Sequence, residues 1–227
     1  MPQPSRLTSL WDELLAFMLS ASCAGCDRVG AVLCDGCRTQ LSPDPVLVRT
    51  PGGLGVTAAL PFSGVAARCI RRIKADGETL LARPLGMALG AVLASNRVDG
   101  AAIVPVPTSR AAFRRRGYRV PDLLLRRSGI VPLRLLTTTG RRADQRGLDA
   151  RSRAANVHGS MRTRAVRGID GDCALLVMDD VVTTGATLDE AARALRAAGH
   201  TVQGGIALAA TPRLGRLTGD SAATRRK

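Results

Sequence analysis

The chain has 227 residues, 45% of them apolar and a formal net charge of +15, enough for one α/β domain and a small extra module. No run of about 20 apolar residues occurs, so no membrane span is expected. Aromatic residues make up 2% of the chain, which argues against the stacking platforms that bind single strands without sequence preference. Such a charge suits an acidic ligand or nucleic acid; equally, the basic residues, all arginine apart from Lys74 and Lys227, are spread along the chain like a solvated surface.

In chain order, Leu10, Trp11, Leu14, Leu15 and Met18 have helical spacing after Thr8 or Ser9 as a cap. Asp12 and Glu13 interrupt this apolar stretch, so it reads as an amphipathic helix of a cytoplasmic protein rather than a secretion signal. Residues 23–37 read CAGCDRVGAVLCDGC. Cys23 and Cys26 form one C-x-x-C pair and Cys34 and Cys37 another, the thiolate set of a closed structural zinc site. Disulfides are the alternative, which a cytoplasmic location disfavours. Cys69 and Cys173 are expected to be small buried residues.

Leu41–Gly55, with Pro43, Pro45 and Pro51, reads as a linker. Val56–Phe62 is a candidate strand, Val65–Ile73 a helix and Lys74–Gly77 a turn, followed by a helix over Leu80–Ala94. Ala101–Val106 is the next strand. It runs into Thr108, Ser109 and Arg110, a small basic loop suited to an anion. The run Arg114–Arg116 is either part of that site or a solvated helix face. Leu123–Leu125 continues a helix, and Ile130–Leu136 reads as a strand. Arg141–Asn156 is polar and aperiodic; it is either a hood over a ligand, contacting it through Gln145, Arg153 and Asn156, or disordered. Val202–Ala209 is a further strand and 213–227 a basic tail.

Leu175–Thr187, LLVMDDVVTTGAT, organises the rest. Its apolar opening is a buried parallel strand, and Leu188, Ala191, Ala192 and Leu195 begin a helix that Gly199 stops. Ligands of open α/β sheets bind outside the carboxyl ends of strands. Thr183, Thr184, Gly185, Ala186 and Thr187 offer hydroxyls and a helix N-terminus to a phosphate. Asp179 and Asp180 suit sugar hydroxyls or a divalent cation. A Walker-type reading fails, because neither lysine lies in a G-x-x-x-x-G-K-[ST] loop.

This stretch resembles the phosphoribosyl-pyrophosphate (PRPP) signature of type I phosphoribosyltransferases. The order of motifs, from the cysteine pairs through VPVP, RRRGY and Q-x-x-L-x-x-x-x-R-x-x-N to DDVVTTGAT, resembles the ComF/GntX family of phosphoribosyltransferase-like proteins. The resemblance implies an α/β fold, a type I phosphoribosyltransferase-like parallel sheet flanked by helices, with a small hood and an N-terminal four-cysteine zinc ribbon. The expected division is 1–50, 51–214 and a tail at 215–227. Asp179 and Asp180 would hold the ribose and act in catalysis, with Val181 and Thr183–Thr187 on the 5-phosphate. Thr108, Ser109, Arg110 and Lys74 would hold pyrophosphate, with Mg²⁺ accompanying PRPP and a structural Zn²⁺ in the ribbon. Arg119 and Val120 stand where the family has Asn-Gln, which leaves the acceptor contacts open. Two functions follow: transfer of a phosphoribosyl group to a nitrogenous acceptor, or a non-catalytic competence-type module that binds PRPP or a nucleotide together with single-stranded DNA or a protein partner.

Overall fold

A computed structural model describes residues 21–95, 100–139, 157–164 and 173–212. The expected N-terminal helix, the hood residues Gln145, Arg153 and Asn156, and the basic tail lie outside them. Among the described residues no helix is long and apolar enough to cross a membrane.

The inner strands are apolar on both faces because helices cover both. β1 (Val46–Arg49), β2 (Gly55–Pro61), β3 (Ala102–Pro105), β6 (Leu175–Val182) and β7 (Val202–Ala210) form one sheet in the order β1-β2-β7-β6-β3. β4 (Leu136–Thr138) and β5 (Met161–Thr163) form a separate antiparallel hairpin. The large sheet is parallel except for β1, which lies antiparallel to β2 at the edge. In β7 only Gln203 is exposed.

Helices α2 (Gly64–Ala75), α3 (Ala82–Ser95) and α5 (Val120–Arg127) pack on one face of the sheet, through Ile70, Leu85, Leu89 and Leu124 among others. Helix α6 (Ala186–Ala197) covers the opposite face through Leu188, Ala191 and Leu195, alongside Leu136 and Met161 of the hairpin. The short helices α1 (Asp35–Thr39) and α4 (Arg110–Arg116) complete the set. The chain leaving β3 therefore goes to one face and the chain leaving β6 to the other. Neighbouring strands whose helices diverge in this way open a crevice at their carboxyl ends.

Three sequence expectations change. The supposed linker carries β1, because Pro43, Pro45 and Pro51 flank the strand instead of interrupting it and an edge strand tolerates prolines nearby. The strand expected over Ile130–Leu136 does not form. Pro132 lacks an N–H for a ladder, so Leu133 donates a single bond to the Ile103 carbonyl at 2.9 Å and only Leu136 enters a strand. Lys74 belongs to the last turn of α2 rather than to a loop; the chain turns at Gly77, whose φ is +77°.

The four-cysteine segment is not a detached bead. Cys23, Leu33, Cys37 and Leu41 share one apolar core with α2 and α3. Arg72 pairs with Asp27 at 2.6 Å, and Arg68 donates to the Gly25 carbonyl at 3.0 Å, so two arginines of α2 grip the ribbon.

Candidate functional site

β3 and β6 stay in register as far as Pro105 opposite Met178. Pro107 then turns the β3 chain away, while β6 runs on through Asp179–Val182 with only β7 alongside. The vacated edge opens a cavity of about 270 Å³, lined by Lys74, Thr108, Ser109, Arg116, Asp179, Asp180 and Thr187. Residues from α2, the β3 loop, α4, β6 and α6 thus converge on one crevice.

Successive strand residues face opposite sides, and the two acids differ accordingly. Asp180 lies on the α2 side and is 8% exposed; its Oδ1 is 2.6 Å from Lys74 Nζ. Asp179 Oδ1 accepts the Asp180 backbone N–H at 2.8 Å. The backbone that carries Lys74 is itself tethered. The Tyr118 hydroxyl donates to the carbonyl of Ile73, the residue before it, and burial pushes the Tyr118 phenol above its ordinary value. Arg116 brings a second cation. Its Nε is buried and has no hydrogen-bond partner among the described residues. An unmet buried donor costs about 1–3 kcal/mol, and this one stands at a cavity wall.

The hydroxyl-rich turn is held from above. Gly185 has φ +79° and is buried, with the Thr50 methyl where a Cβ would project. The Thr50 hydroxyl donates to Asp189 Oδ1 at 2.5 Å, and the Gly52 N–H donates to Asp189 Oδ2 at 2.9 Å. The β1–β2 turn is therefore strapped to the first turn of α6. Thr184 Oγ1 accepts the Ala186 N–H at 3.4 Å. Thr187 reaches the cavity wall; Thr183 is exposed and Thr184 half-buried on the turn before it.

The β3 loop is divided. Ser109 lines the cavity with the acids, and its Oγ accepts the Ala112 N–H at 3.2 Å as the cap of α4. Arg110 lines a different cavity, and Thr108 lines both. Arg114 and Arg115 are exposed, whereas Arg116 turns inward.

The four cysteines are the second constellation. Cys23, Cys26, Cys34 and Cys37 place their sulfurs within 4.8 Å of one another. Cys34 Sγ is 3.6 Å from Cys23 Sγ and 3.7 Å from Cys26 Sγ. Four ligands about 2.3 Å from a tetrahedral zinc would be separated by roughly 3.8 Å, so the cluster fits such an ion. The N–H groups of Gly25 and Cys34 each donate to Cys23 Sγ at 3.4 Å. Burial opposes ionisation of Cys23, but these backbone donors outweigh it and bring its thiol down to about 6. Gly25 is required here, since a Cβ would lie 2.5 Å from Cys37 Sγ.

No protein-family model matches the chain, and no curated protein matches it.

Sequence reasoning missed the Thr50–Asp189 strap and the Tyr118–Ile73 tether, whose partners lie far apart in the chain. The inward turn of Arg116 has a legible cause: it stands four residues after Ala112 on α4, so the two share the helix face that lines the cavity.

Proposed function

We propose that the crevice binds a ribose 5-phosphate ligand such as PRPP, and that the protein transfers its phosphoribosyl group to a nitrogenous acceptor. The observation that carries this reading is the convergence of Asp179, Asp180 and Thr187, from one strand–turn–helix, with Lys74 and Ser109 around a single cavity. The carboxylates accept from the ribose hydroxyls. The N-terminus of α6, with Thr183, Thr184 and Thr187, receives the 5-phosphate. Lys74 moves from Asp180 to the diphosphate, where Arg116 also donates. The bond from C1 to the diphosphate oxygen breaks with its electron pair going to that oxygen, so pyrophosphate leaves; the acceptor nitrogen's lone pair forms the new bond to C1, and the proton that nitrogen sheds passes to water. Positioning and charge stabilisation, rather than a covalent nucleophile, supply the rate. Asp179 and Asp180 have the hard oxygen donors that suit Mg²⁺, which would neutralise diphosphate charge when bound. The cysteine cluster holds a structural zinc.

Asp180→Asn tests the assignment. The amide oxygen can still accept from Lys74, so the local packing is kept, while the negative charge is lost. Calorimetry with PRPP and Mg²⁺ should show at least a tenfold weaker affinity, and an unchanged affinity rejects the ribose site.

The exposed arginines Arg114, Arg115, Arg126 and Arg127, set in a chain of net charge +15, favour a second reading: a non-catalytic, competence-type module that contacts single-stranded DNA. Affinity for an oligonucleotide would then fall steeply with salt. Background binding at low salt, together with pyrophosphate release from PRPP and a base, decides for the transferase.

A further inference from the structure

A separate cavity of about 170 Å³ lies on the other side of the β3 loop, between that loop, α5 and the β4–β5 hairpin. Val106, Pro107 and Thr108 line both this cavity and the crevice with the acids. Among the described residues its charged lining is Arg110, Arg119, Arg134 and Arg164, with Asp122 as the only carboxylate. Asp122 is buried and already engaged: Arg134 Nε donates to its Oδ2 at 2.7 Å. Arg119 lies over the Phe113 ring at 4.4 Å, a contact that orients its guanidinium and leaves its charge unneutralised. Arg110 and Arg164 are exposed and form no ion pair among the described residues. Among the described residues, three guanidiniums without a carboxylate partner therefore border one small concavity, reached from separate elements.

Like charges gathered in a confined space repel one another, and an anion bound between them relieves that repulsion. Guanidinium forks match the paired oxygens of phosphoryl groups and carboxylates, and the hydroxyls of Thr137 and Thr138 add neutral donors. We propose that this cavity is a binding site for a compact oxyanion, a phosphoryl group or a carboxylate on a small molecule. It is distinct from the crevice that holds Asp179 and Asp180. A ligand here presses on the same three residues that wall that crevice, so the two sites communicate through Val106–Thr108.

The test uses the full chain with inorganic phosphate and, separately, succinate, at constant ionic strength. Arg164→Ala removes a cavity cation that no carboxylate engages among the described residues. Arg162→Ala removes the same charge from the same hairpin, at an exposed position that does not line the cavity. Arg164→Ala should weaken one of the two anions about tenfold or more, while Arg162→Ala leaves it within twofold. The anion affected tells a phosphoryl from a carboxylate ligand. Equal effects of the two variants, or no binding of either anion, overturn the site. The ribose assignment is read separately, because Asp180→Asn should alter PRPP binding and leave the anion sensitive to Arg164 unaffected.

Discussion

Lys74 Nζ lies 2.6 Å from Asp180 Oδ1, joining the last turn of α2 to the end of β6 across the candidate crevice. The Asp180 side chain is 12% exposed and that of Lys74 34%. The acid is thus the more fixed partner, and the lysine is the one free to exchange it for another anion.

Lys74→Met should therefore separate the two halves of the ligand. Losing a charge-assisted bond to a diphosphate weakens PRPP binding about tenfold or more. Ribose 5-phosphate, which has no diphosphate, should lose far less. Parallel calorimetric titrations check this; equal losses would place the action of Lys74 on Asp180 rather than on the diphosphate.

Gly185→Ala and Gly199→Ala form a matched pair. Both glycines have positive φ, +79° and +85°, so both substitutions carry the left-handed penalty, on the order of 1–2 kcal/mol. At Gly199 a Cβ meets open space, whereas at Gly185 it would lie 2.6 Å from Thr50 Cγ2. Gly185→Ala should lower Tm more. Adding Thr50→Ser, which removes that methyl and keeps the hydroxyl bonded to Asp189, should recover part of the loss. No recovery in thermal melts would show that the strap does not limit the turn.

Glu190 gives a pH prediction. Its burial opposes ionisation, but the Arg193 guanidinium at 2.6 Å and the Met161 N–H at 3.0 Å outweigh this, and its carboxyl titrates below the ordinary value. A depressed folded value means that the stabilisation is complete above the unfolded value of about 4.3 and is lost as pH falls through the lower folded value. Urea unfolding below about pH 4.5 should show this loss in the wild type and a shallower one in Glu190→Gln. At pH 7 the variant should be less stable by about 1–3 kcal/mol. Identical pH profiles would remove Glu190 as the anchor of the β4–β5 hairpin on α6.

For the cysteine cluster, metal analysis should find one zinc per chain. Because Cys23 and Cys37 share a core with α2 and α3, chelation or Cys34→Ser should shift the main thermal transition downward. A separate early transition with the main one unmoved would show instead that the ribbon melts independently of that core.

What the sequence determined is local. The apolar runs of β6 and β7 marked buried strands, because a strand covered on both faces has no need of alternation. DDVVTTGAT marked a strand–turn–helix, and the two C-x-x-C pairs marked a cluster whose sulfurs do gather. Each of these signals is complete within a few neighbouring residues. Only the tertiary structure decided that Lys74 meets Asp180, that Thr50 straps Asp189, that Ser109 and Arg110 serve different cavities, and that the ribbon shares the main core. These pairings depend on the order β1-β2-β7-β6-β3 and on which face each helix takes. Residues a hundred positions apart acquire a distance only when the whole sheet is assembled, so no local pattern along the chain encodes it.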